Sequence, residues 1–303
     1  MNTQPKAVPE SPVTSQEIAP AVMARTRPMY WSVRRELWEN RSIYVAPLAV
    51  AAVVVFGFLV STLTLPYRMH AASALDPAQQ RAAMAGPYTI AASLILGATF
   101  IVGIFYCLDA LYGERRDRSI LFWKSLPVSD LTTVLSKMSI PMVILPVLGL
   151  AITVVTLCIM LLLNALVLFV SGLSVATLWA QVPVFQISLI LFYHFLTAHA
   201  LWYAPIYGWL LLVSGWARRA PFLWAVLPPL GICAIEKLAF NTMHFADLLQ
   251  YRLVGNPDSG LHFPLVQLTP LKFLSALGLW TGLALAAVFL IAAARQRRYR
   301  GPI

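Results

Sequence analysis

His194 and His199, in the stretch FYHFLTAHALWYAP, carry the most versatile side chains inside the apolar body of the sequence. Imidazole can relay a proton or ligate a metal. On an ordinary α-helix, positions five apart do not share a face, and no Cys, Asp or Glu accompanies the pair, so no metal site is expected. Together with Tyr193, and with Asn164 deep in another apolar run, they read as lining of an internal path or as interhelical hydrogen bonds. Cys107, Cys158 and Cys233 stand alone in apolar runs and read as small buried hydrophobes. A phosphate-binding P-loop needs Gly-Lys followed by Ser or Thr. The five lysines follow Pro5, Trp123, Ser136, Glu236 and Leu271, so the chain cannot hold ATP by that device. No catalytic constellation and no cofactor of its own are expected.

A different chemistry is written in YGERRDRSILFWKSLPVSDLTTVLSK, Tyr112 to Lys137. Basic and acidic residues here flank the apolar group ILFW. Ile120, Leu121, Trp123 and Leu126 predict a short amphipathic helix stopped by Pro127, and Ser129 with Asp130 can cap the helix that follows. A helix that is apolar yet rimmed by charge cannot sink into a bilayer. It needs a protein partner or the membrane surface.

The elements that position these residues follow from composition. The chain has 303 residues, 59% of them hydrophobic and 11% charged, with a mean hydropathy of +0.75. That is too apolar for an ordinary soluble domain. Runs free of Asp, Glu, Lys and Arg predict six spans: Ile43 to Leu65, Tyr88 to Leu108, Met138 to Val170, Phe185 to Val213, Phe222 to Ile235 extended past Glu236, and Leu274 to Ala294. The runs are continuously apolar, which predicts helices and not a barrel. The third would be about 50 Å long as one helix, so Pro141, Pro146 and Gly149 should kink it. A similar break is expected at Pro228, Pro229 and Gly231.

Of 22 Lys and Arg, 17 fall in the segment before the first span, the 112–137 stretch, WARRAP and the tail RQRRYR. The positive-inside rule then places both termini and two basic loops in the cytoplasm. The net charge of +10 reports topology and anionic lipid, not nucleic acid. Residues 1–27 read as a disordered cytoplasmic leader without a cleaved signal, and 28–303 as one membrane domain. In RPMYWSVRRELWENRS, Tyr30, Val33, Leu37 and Trp38 take one face while Arg34, Arg35, Glu36, Glu39 and Arg41 take the other. This fits a helix lying flat at the interface, with a plain basic flank as the alternative.

GERRDRSILFWKSLPVSDLTTVLSK resembles the first cytoplasmic loop of ABC-2 type permeases, the membrane subunits of type V-like ATP-driven exporters. Glu114, Arg115, Ser119, Ile120, Leu126, Pro127, Val128, Ser129 and Lys137 match that pattern, whereas the family usually carries Gly-Thr where this chain has Arg118 and Ser119. The motif covers about 25 residues, and the six-span layout extends the likeness over 28 to 300. The resemblance implies an all-α integral membrane fold with six transmembrane helices, an N-terminal interfacial amphipathic helix and a cytoplasmic coupling helix between spans two and three.

It further implies a bacterial inner-membrane exporter subunit that is not itself an enzyme. Its partners would be a separate ATP-binding cassette ATPase, which holds ATP and Mg, and a second permease chain. Glu114, Arg115, Arg118, Ile120, Phe122, Trp123, Leu126 and Pro127 would couple to the ATPase, with Glu114 and Arg115 fixing the loop and Phe122 and Trp123 as anchors. The alternative is a secondary carrier or channel, which should show internal repeats and paired ionisable groups at the midplane. A membrane enzyme would need clustered His, Asp, Glu or Cys.

Overall fold

The computed structural model describes residues 28–62, 67, 76–125, 128–172, 184–254 and 270–301, and every regular element among them is a helix. In chain order these are α1 (Pro28–Glu39), α2 (Ser42–Thr62), α3 (Pro77–Arg116), α4 (Ile120–Ser125), α5 (Asp130–Ser139) and α6 (Leu145–Val170). There follow α7 (Val184–His194), α8 (Ala204–Trp216), α9 (Pro221–Phe240), α10 (His244–Val254), α11 (Pro270–Ser275) and α12 (Leu277–Tyr299). Two π-helical turns interrupt them, Ile140–Ile144 between α5 and α6 and Phe195–Trp202 between α7 and α8. The leader 1–27 and residues 255–269 lie outside the described residues, as do Leu126 and Pro127.

Five helices are long and apolar enough to cross a membrane, and a sixth span is made if Gln186–Trp202 and Ala204–Trp216, bent by 45°, count as one. The third span is longer than its apolar run, extending from Asp130 to Val170. Pro141 sits in the π-turn, where the wider winding absorbs the proline's missing N–H without breaking the helix. The expected break in α9 is absent: the helix runs through Pro228 and Pro229. Pro229 frees the carbonyl of Ala225, and the Trp209 indole N–H donates to that oxygen at 3.0 Å, which removes the cost of leaving it bare.

Helix α3 is the centre of the bundle, packing against α2, α6 and α8, while α8 also lies along α12. One apolar cluster gathers around Cys107, Leu145, Tyr207 and Leu211 toward the basic end of the bundle. The other gathers around Tyr88, Leu157, Leu161 and Phe195 toward the opposite end. Cys107 is buried as expected, whereas Cys158 is exposed on the bundle surface. Gly149 permits the closest crossing between these layers. A Cβ there would stand 2.8 Å from Thr99 Cγ2 and 2.9 Å from Phe195 Cε1. Gly149→Ala should therefore cost about 1–3 kcal/mol in thermal unfolding of the purified chain. Gly97→Ala, with nothing within 4 Å of the new methyl, should not be destabilising.

Candidate functional site

The basic end of the bundle holds a buried cluster of charge that ties four helices together. Glu36 from α1 is 1% exposed, Glu114 from α3 7%, Lys137 from α5 2% and Arg297 from α12 4%, so none is a solvated surface charge. Lys137 Nζ donates to Glu36 Oε1 at 2.8 Å and lies 3.2 Å from Glu114 Oε1. Arg35 Nη2 bridges the same two carboxylates, at 2.7 Å to Glu36 and 2.9 Å to Glu114. On the far side, Arg297 reaches Glu114 Oε2 through Nη2 at 3.3 Å and pairs with Asp130 through Nη1. The Tyr106 hydroxyl donates to Glu36 Oε2 at 2.8 Å. Three cations thus face the three carboxylates Glu36, Glu114 and Asp130, and the half-exposed Glu39 adds a fourth at 3.4 Å from Arg35 Nε.

That pairing of opposite charges is what permits burial. Charges removed from water cost several kcal/mol each unless attraction and hydrogen bonds offset the loss. Burial works to lower the pKa of Arg35, but Glu36, Glu114 and Glu39 outweigh it and hold the guanidinium above its ordinary value.

The loop above this cluster is short and fixed at both ends. Ser129 caps α5, its Oγ accepting the Thr132 N–H at 3.0 Å, as its position before Asp130 predicts. Arg115 makes no ion pair among the described residues. Its Nη1 instead donates to the carbonyls of Gly215 at 2.7 Å and Ala217 at 3.1 Å, satisfying the C-terminal end of α8. Arg118 turns the chain between α3 and α4 with φ of 59°, in the left-handed region that glycine occupies without cost. Its side chain is exposed. This is the position where the resembled loops carry Gly.

In α4, Ile120 is 1% exposed and plugs the helix into the bundle. Leu121 and Phe122 stand outward, 58% and 61% exposed. Trp123 is half-buried, with the Arg35 guanidinium 3.8 Å above its ring and Phe122 edge-on at 4.8 Å. Lys124 Nζ ties the helix to the carbonyls of Arg298 and Arg300. The outward residues are therefore Leu121 and Phe122, while Ile120 and Trp123 hold the knob from below. Asp109 lies 3.7 Å from Arg116 in an exposed pair.

The four polar residues read as a path do not form one constellation. Asn164 on α6 is buried and donates to the Tyr88 hydroxyl at 2.9 Å. His194 and His199, by contrast, do meet: the π-turn from Phe195 widens the helix so that positions five apart overlie, and their rings are 5.8 Å apart. The spacing argument from 3.6 residues per turn fails there for that reason. Phe100 and Phe195 enclose His199, and the Tyr193 hydroxyl is buried nearby in sequence. Among the described residues no group of three or more His, Cys, Asp or Glu is placed to share a metal.

Sequence spacing could have exposed part of the charge cluster. Val33, Glu36 and Leu37 recur at helical intervals and form the inward face of α1, so Glu36 belongs with the apolar stripe and not with Arg34 and Glu39. Ala286, Ala293 and Arg297 mark the buried side of α12 in the same way. What spacing cannot supply is the partner set, drawn from four segments up to 261 positions apart, from Glu36 to Arg297. No protein-family model, curated protein or solved structure matches the chain.

Proposed function

We propose that this chain is the membrane permease of an ATP-binding cassette exporter, driven by a separate ATPase that docks on α4. The observation that carries the reading is the projecting pair Leu121 and Phe122, on a six-residue helix whose Trp123 lies under the Arg35 of a buried charge cluster. An exposed apolar pair on a charge-rimmed loop is the anchor a partner groove requires. Its attachment to α1 through Arg35 and to the end of α12 through Lys124 is what transmission of mechanical work requires. The left-handed backbone at Arg118, where the resembled loops carry Gly, supports the likeness. In this reading the basic end faces the cytoplasm, and two permease chains work with two ATPase chains.

The purified chain should hydrolyse no ATP, and hydrolysis should appear with the co-expressed ATPase. Leu121→Asp combined with Phe122→Asp should abolish co-purification of that ATPase while leaving thermal unfolding unchanged, since both side chains point away from the bundle. Retained assembly in the double variant overturns the docking assignment. Thiol labelling of Phe122→Cys from the external face of intact cells would sink the orientation as well.

A further inference from the structure

Arg252 is the one guanidinium among the described residues that is held by aromatic and backbone groups at the end of the bundle far from the basic cluster. It lies near the C-terminal end of α10, a helix whose N-terminus is fixed when the Glu236 carboxylate accepts the N–H groups of His244 at 2.8 Å and Phe245 at 2.9 Å. Arg252 Cζ stands 4.3 Å over the Trp202 ring, and Nη2 donates to the Gly278 carbonyl at 2.6 Å. Trp202 returns a bond from its indole N–H to the Arg252 carbonyl at 3.0 Å. The guanidinium lies so close to α12 that a Cβ on Gly282 would meet its Cζ at 2.8 Å. Gly278 and Gly282, one turn apart, thus form a notch shaped to the planar head.

Among the described residues no carboxylate neutralises the charge in that notch: none lies within ion-pair distance of Arg252, and Asp247 on the same helix does not pair with it. Burial lowers its pKa, with only Tyr251 acting in the opposite sense. Gly278 is 19 positions from Arg297 on one continuous helix, about 28 Å at 1.5 Å per residue, which puts the notch at the far boundary of the hydrocarbon layer. A desolvated cation at such a level calls for an anion. Beside the notch, Leu277, Leu285 and Val288 form an exposed apolar strip on α12, 77%, 47% and 60% exposed. It runs about 16 Å along the helix into the layer.

We infer that the notch of Trp202, Arg252, Gly278 and Gly282 binds an anionic amphiphile, its phosphate or carboxylate head on the guanidinium and its apolar body along the α12 strip. The guanidinium keeps N–H donors that no described residue accepts, and its planar fork suits two oxygens of one acid group. The strip supplies what a free inorganic anion would not use.

The test takes the full chain purified in dodecyl maltoside and follows its thermal unfolding as dodecyl phosphate is added. No ATPase is present, so the result is independent of the permease reading. Dodecyl phosphate should raise the midpoint by several degrees in a saturable way, whereas inorganic phosphate at equal concentration should not. Arg252→Gln should abolish the shift. Arg252→Lys, which keeps the charge without the fork and so remains a test if the Gln variant misfolds, should weaken binding about tenfold. Asp258, six positions along the chain from Arg252 and outside the described residues, is the control, and Asp258→Asn should leave the shift intact. An equal shift in Arg252→Gln, an equal effect of inorganic phosphate, or no shift in the parent chain overturns the proposal. So does a loss of the parent's stability in Asp258→Asn that matches Arg252→Gln without ligand, since that identifies Asp258 as the counterion.

Discussion

Glu114→Gln is expected to lower the thermal midpoint of the purified chain by roughly 10 °C, through a loss of about 3–5 kcal/mol. The size follows from what the carboxylate faces. Its two oxygens lie within 3.3 Å of Arg35, Lys137 and Arg297, all three on different helices. Gln keeps the shape and one acceptor oxygen but removes the charge, leaving Arg35, Lys137 and Arg297 without the buried carboxylate they share. Coulomb repulsion among Arg35, Lys137 and Arg297 then acts at an effective dielectric far below that of water. The surface pair nearby sets the contrast. Arg116 and Asp117, joined at 2.9 Å but both more than half exposed, should tolerate Asp117→Asn within about 0.5 kcal/mol. A Glu114→Gln midpoint within 2 °C of the parent would show that the cluster is hydrated and not the buried tie described here.

The same cluster shows where sequence reasoning reaches and where it stops. Span existence is a property of local composition, and α2, α3, α9 and α12 all fall where the apolar runs place them, because twenty contiguous apolar residues have few other ways to satisfy their backbone. The Ser129 cap was equally legible, being a contact between neighbours. The helical break at Pro228 and Pro229 was misread because its remedy, the Trp209 indole, comes from another helix. The pairing of His194 with His199 was misread for a subtler reason: the register depends on helix type, and the π-turn that brings the rings together has no signature in residue spacing. At the candidate site, Glu114 stood out only through the resembled loop, and its partners Glu36 and Arg297 were hidden. Each looks like one more charge in a basic segment until the fold brings the two segments together.

Lys137→Met should be nearly as damaging as Glu114→Gln, and its rescue is the sharper measurement. Met matches the length of the lysine stem and stays apolar, so packing against the wall of the cluster is kept while the ammonium, 2% exposed and 2.8 Å from Glu36, disappears. One excess carboxylate charge remains in place, at a cost of about 3–5 kcal/mol. Glu36→Gln alone errs in the other direction, stranding a cation, though its amide can still meet the Tyr106 hydroxyl and Arg35. The two together restore the parent's charge balance. The double variant should therefore unfold at a higher temperature than Lys137→Met alone, with a coupling energy of at least about 1 kcal/mol in the double-mutant cycle. Simple additivity would mean that the two side chains act independently and that charge balance is not what holds α1 against α5. Because α4 stands on this cluster, the cycle also separates two consequences of damage. If docking of an ATPase needs only the outward Leu121 and Phe122, the rescued double variant should still assemble with it; if it needs the original charges to aim the knob, assembly should fail although the fold has recovered.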